Sequence, residues 1–149
     1  MKKIIFFVMF IVILLSLNTF AFAGNIAVIV NDKSPVISDN KSTMEVREVR
    51  DIFLGKTKVF KGTAIKAVNQ KDKALLSAFL QKVCNMHVSD YQSHWVRLEL
   101  EQGLSSPRVL ETSKDVIRFV QNENNAVGYV LESEVKSSDG IRIVLLLGE

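Results

Sequence analysis

Cysteine is nearly absent: Cys84 stands alone. An internal disulfide is therefore excluded, and the fold must be held by its apolar core. Four residues beyond Leu80 on one helical face, Cys84 itself reads as an inert buried thiol. The H-E-x-x-H, P-loop, G-x-S-x-G and Cys-x-x-Cys patterns are missing too. Their residue types and spacings are what build metal-hydrolase, phosphate-transfer, acyl-transfer and redox centres, so no reaction class is indicated. The chain reads as a non-enzyme without a cofactor. Histidine is scarce, and His87 and His94, split by a helix start, read as surface or capping residues rather than metal ligands. Glu99, Glu101 and Glu111 read as a solvated acidic face. Neither an internal repeat nor a low-complexity linker is present.

What is present begins with a leader. Lys2 and Lys3 precede an apolar stretch over residues 4–17, and Ala21, Phe22 and Ala23 supply the small residues a signal peptidase reads. This predicts cleavage before Gly24 and export to the periplasm, the stretch being short for a membrane anchor. Removing 23 of the 149 residues leaves 126, enough for one core and too few for two ordinary domains, so residues 24–149 read as one domain. Taking Lys2 and Lys3 from the nineteen basic residues leaves seventeen against sixteen acidic ones. That balance lacks the basic excess of a nucleic-acid binder.

The centre of the chain is residues 64–79, where a strand feeds a helix. Ala64, Ile65, Ala67 and Val68 form an apolar run expected of a buried strand, and Leu76, Phe79, Leu80 and Val83 recur at helical spacing. Asn69, Gln70, Lys71 and Asp72 lie between them, at a strand's carboxyl end and a helix's amino end, where free N–H groups favour an anion. Upstream, residues 26–30 predict a strand, and Ser42 with Glu45 predicts a capping box opening a helix that Gly55 stops. Residues 57–60 predict a small strand or extended loop. Downstream, residues 91–100 predict a helix with Tyr91, Trp95 and Leu98 on one side. Ser113 predicts an N-cap for a helix whose Val116, Phe119 and Val120 face inward. Residues 126–130 and Ile141–Leu147 predict strands, the last run lying inside the sheet. This order predicts an α/β fold of three layers, with a mostly parallel sheet flanked by helices.

Ser34, Asn69, Gln70, Ser105, Ser106, Arg108 and Tyr129 fall in or near loops that follow a strand or open a helix. They are either turn and cap residues or ligand contacts, since hydroxyls, amides and backbone N–H groups are what an oxyanion receptor uses. Trp95 reads as core. Arg97 reads equally as a surface ion pair or an anion contact.

Asp51-Ile52-Phe53-Leu54-Gly55-Lys56, Lys61-Gly62, Ala67-Val68-Asn69-Gln70, Phe79-Leu80, Trp95-Val96-Arg97, Pro107 and Ala126-Val127-Gly128-Tyr129-Val130, in that order, resemble the phosphate-binding proteins of ABC transporters. The likeness is closer still to the short exported proteins usually labelled phosphate ABC transporter substrate-binding protein. It implies a single lobe of a type 2 periplasmic binding protein-like fold and a small oxyanion ligand, phosphate. The residues expected to hold that ligand, from their places at strand and helix ends, are Ser34, Asn69, Gln70, Lys71, Arg108 and Tyr129. It also implies a membrane transporter or a second copy of the chain, as a homodimer, to complete the cleft. The chain departs from the full-length receptors at their Ser-Gly-Thr turn, where it carries Asn69-Gln70-Lys71-Asp72. Asp72 there reads as a helix-start carboxylate, which would occupy the N–H groups an anion needs. The competing reading is an envelope interaction module that kept the lobe and lost the ligand.

Overall fold

The structure, a computed structural model, describes residues 24–37, 43–60 and 62–148. The leader read from residues 1–23, and Ser42, lie outside them. The strands are β1 (Ile26–Asn31), β2 (Val59–Phe60), β3 (Thr63–Ala64), β4 (Lys66–Gln70), β5 (Arg108–Leu110), β6 (Ala126–Leu131) and β7 (Ile141–Leu147). The α-helices are α1 (Val46–Phe53), α2 (Lys73–Cys84), α3 (Val88–Gln102) and α4 (Ser113–Asn122).

Five strands form one sheet in the order β5-β4-β6-β1-β7, and β2 and β3 form a separate small hairpin. β4 is parallel to β5 and β6, whereas β1 is antiparallel to both its neighbours, β6 and β7. β1 thus runs against the other four, and the sheet is mixed but mostly parallel in direction. Every residue of β1 is buried, as a strand covered on both faces requires.

Alternation along the strands builds two cores. Ile26, Val28 and Val30 of β1 and Val127 and Tyr129 of β6 face α1, α2 and α3. Ala27 and Ile29 of β1 and Ala126 and Val130 of β6 face α4. In the larger core Phe79 stacks on Tyr129 with ring centres 3.8 Å apart, and Phe53 meets both rings edge-on. Each such side chain taken wholly out of water contributes on the order of 1.5–3 kcal/mol. On the other face α4 lies so close to β6 that a Cβ on Gly128 would come within 2.7 Å of Val116 and 3.0 Å of Val68. Gly55 ends α1 at φ +72°, with the Trp95 ring where a Cβ would stand.

Four expectations are corrected. α1 starts at Val46 with Glu45 as N-cap, because the backbone N–H of Met44 is bound to the Val144 carbonyl at the edge of β7. α4 is capped by Thr112, not Ser113: the Thr112 hydroxyl accepts from the Asp115 N–H, and the Asp115 carboxylate accepts from the Thr112 N–H. β7 is an edge strand rather than an interior one, since its apolar residues fill both cores from the sheet's margin. The buried part of β4 is Val68, Asn69 and Gln70, while Ala64 is exposed and Ile65 lies outside the strand.

Candidate ligand-binding groove

Two amides in a buried stretch of strand need partners, because an unpaired polar group there costs about 1–3 kcal/mol. Asn69 points toward α3 and Gln70 toward α4. The Asn69 amide nitrogen donates to the Tyr91 hydroxyl at 3.2 Å, and its oxygen accepts from the Tyr129 hydroxyl at 3.3 Å. Gln70 donates to the Tyr129 carbonyl at 2.9 Å and accepts from the Ser113 hydroxyl at 3.3 Å. The Tyr91 hydroxyl in turn donates to the Phe53 carbonyl at 3.1 Å, which also accepts from the Trp95 indole N–H at 3.2 Å. Nε2 of His94 donates to the Leu54 carbonyl at 2.9 Å, so α3 satisfies the open end of α1. Among the described residues no buried side-chain nitrogen or oxygen lacks a partner.

Burial sets the protonation of this network. It pushes the Tyr91 hydroxyl up to about 12, against the opposing effect of the Asn69 and Trp95 hydrogen bonds, and raises Tyr129 further. Burial also raises the Cys84 thiol to about 11, against the charges of Arg50 and Lys56. All three groups stay neutral at ordinary pH.

Above this layer, at the carboxyl ends of β4 and β5, lies a groove of about 610 Å³ bordered by Asn69, Gln70, Lys71, Lys73, Val96 and Val109. Lys71 and Lys73 bring positive charge to it, but Lys71 is held by Glu111 at 3.1 Å, both side chains being largely exposed. The amino end of α2 opens beside it. One carboxylate oxygen of Asp72 accepts from the N–H groups of Ala74 at 2.9 Å and Leu75 at 3.1 Å, taking donors an anion would otherwise use.

The structure therefore brings together Asn69, Gln70, Lys71 and Tyr129, with Tyr129 wholly buried behind the groove rather than open to it. It does not bring Ser34 with them. Because β1 runs against its neighbours, the turn after it lies at the opposite end of the sheet, where the Ser34 hydroxyl accepts from the Val36 N–H at 3.3 Å. Arg108 is paired in register with Val68, below the end groove, and borders a different groove. Tyr91, Ser113 and Glu111 complete the polar network and went unpredicted. For Tyr91 and Ser113 only the demand of two buried amides for partners points to them, and that demand appears once β4 is known to be buried there.

No family model matches the chain, and no curated protein matches it. Solved structures do. A protein from Clostridium perfringens described as a phosphate ABC transporter substrate-binding protein with bound phosphate overlays at TM-score 0.61 and 20% identity, over 81% of this chain and 45% of its own. This chain has the fold of one receptor lobe. An ABC-type phosphate transport receptor from Vibrio cholerae matches the lobe at TM-score 0.56 and 13% identity, over 81% of this chain and 46% of its own. PstS from Borrelia burgdorferi matches at 0.57 and 14%, over 84% and 47%. The lobe thus spans a little under half the length of each, and identities this low establish fold alone.

Proposed function

We propose that the chain is an exported, non-catalytic solute-binding module of the cell envelope that takes a small oxyanion, phosphate first, in connection with ABC-type uptake. The observation carrying this reading is the end groove. It lies outside the carboxyl ends of parallel strands, where open α/β sheets take ligands, and lysines stand on its rim. The fold is one whose solved neighbours include phosphate receptors. Asp72 sets how such a ligand binds: with the α2 N–H groups occupied, the anion depends on Lys71 and Lys73 and meets a competing carboxylate. A lone lobe leaves the ligand half exposed, so affinity is weak, in the millimolar range by order of magnitude, unless a partner closes over it.

The test is calorimetric titration of phosphate and sulfate into the wild-type protein and Asp72→Ala. Removing the carboxylate frees two donors and takes away one negative charge, so phosphate should bind the variant at least tenfold more tightly. Absence of saturable heat in both proteins at 10 mM anion, about tenfold above a millimolar constant and about a hundredfold above that expected of the variant, would reject the reading.

A second reading is favoured by one observation. Val96 and Val109, which flank the same groove, are 57% and 60% exposed. On this reading the lobe docks a protein partner there and takes no small ligand. Self-association lost on Val109→Asp, in a protein that binds neither anion, distinguishes it by sedimentation.

A further inference from the structure

A second groove, of about 490 Å³, opens where β5 stops short of the amino half of β4. Its floor includes Ile65, Leu104 and Phe119, and Lys58, Lys66 and Arg108 border it. Among the described residues on its lining the one carboxylate, Glu123, is held by Lys66 at 2.7 Å. Arg108 also borders the neighbouring groove that carries Glu111 and Asp115, but both are engaged elsewhere. Glu111 pairs with Lys71, and Asp115 serves Thr112 and lies 3.9 Å from Arg118. Lys58 and Arg108 are thus cations without an ion-pair partner among the described residues. The Arg108 guanidinium carbon lies 5.8 Å from the centre of the Phe119 ring. A guanidinium set against a ring keeps its N–H edge available for a planar or tetrahedral anion. The exposed hydroxyls of Ser105 and Ser106 stand on the same rim.

We propose that this groove binds a small organic anion, its phosphate or carboxylate on Lys58 and Arg108 and its ring or apolar body over Ile65, Leu104 and Phe119. The volume is that of a small-molecule site, and a bare inorganic ion would leave the apolar floor wet. The site adjoins the end groove, with Trp95, Ser106 and Pro107 as shared wall, but its cations are different ones and it does not depend on anion binding beside Lys71.

Titration of phenyl phosphate, benzoate and inorganic phosphate tests this, followed by calorimetry and by fluorescence of Trp95, the chain's one tryptophan, which lines the groove. Phenyl phosphate or benzoate should bind saturably and at least tenfold more tightly than inorganic phosphate. The double variant Lys58→Ala/Arg108→Ala, whose side chains are both exposed, should weaken that binding at least tenfold, and Lys71→Ala should leave it unchanged. Binding that survives in the double variant, or is lost in Lys71→Ala, overturns the proposal. So does the absence of saturable binding by either aromatic anion. Inorganic phosphate binding that only Lys71→Ala abolishes, with no aromatic anion bound, overturns this proposal while leaving the end groove's role standing.

Discussion

The Tyr129 hydroxyl of β6 donates to the Asn69 side-chain oxygen of β4 at 3.3 Å, joining neighbouring strands through their buried side chains. Asn69→Ala would strip that acceptor and also the donor to Tyr91, leaving two enclosed phenols short of a partner. The unfolding free energy from urea titration should fall by about 1–3 kcal/mol. Combining Asn69→Leu with Tyr129→Phe should recover part of the loss, because matched apolar replacements leave fewer orphaned groups. A loss under about 0.5 kcal/mol for Asn69→Ala would mean that the network is incidental to the fold.

Alkali should destabilise the protein in a defined window. Cys84 is raised from 9.0 to about 11 and Tyr91 from 10.0 to about 12, both by burial, so the unfolded chain ionises first. Their contribution is whole below pH 9, erodes from about 9 to 11 through Cys84, and erodes from about 10 to 12 through Tyr91. Urea midpoints should therefore decline above pH 9, and Cys84→Ala should flatten the first part of that decline. A thiol reagent at pH 8 should label Cys84 only after unfolding. Fast labelling of the folded protein would contradict the burial argument.

Gly128→Ala should be among the more damaging single-methyl changes available. The added carbon would collide with Val116 of α4 and crowd Val68 of β4, neither of which has solvent to move into. Overpacking of this kind costs about 1–3 kcal/mol. Val116→Ala in the same chain should relieve part of it, as thermal melts of the three variants would show.

At the α2 entrance, two neighbouring charges should behave differently. Asp72→Ala removes a cap that accepts two backbone N–H groups and should cost about 1 kcal/mol. Lys71→Ala breaks an ion pair whose side chains are 67% and 72% exposed, and should change stability by no more than about 0.5 kcal/mol. Equal losses in chemical denaturation would show that the cap is not what holds the helix start.

How far the chain could be read from its residues depends on where the deciding partner lies. Asp72 was legible as a helix-start carboxylate because its partners, Ala74 and Leu75, are local. The helices at Phe79–Leu80 and Tyr91–Trp95 follow from spacing alone. Asn69 and Gln70 have the residue types of a turn, yet they end a buried strand. Their burial is tolerated only because Tyr91, Ser113 and Tyr129 arrive from far along the sequence. Ser34 shares with them only a place in a loop that follows a strand, and the reversed direction of β1 carries that loop to the other end of the sheet. β7 looked interior because hydrophobicity reports which faces are covered and not which edge is paired.

The reversed first strand also bears on how the molecule is assembled. Val28 lies in register with Tyr129 and Leu145, each more than a hundred residues further along the chain. β1 finds both of its ladder partners only among segments made much later than itself, so the sheet cannot close progressively from the ribosome outward. Such high contact order predicts slow refolding and an early period in which a strand apolar in all but its last residue is exposed to aggregation or to a chaperone.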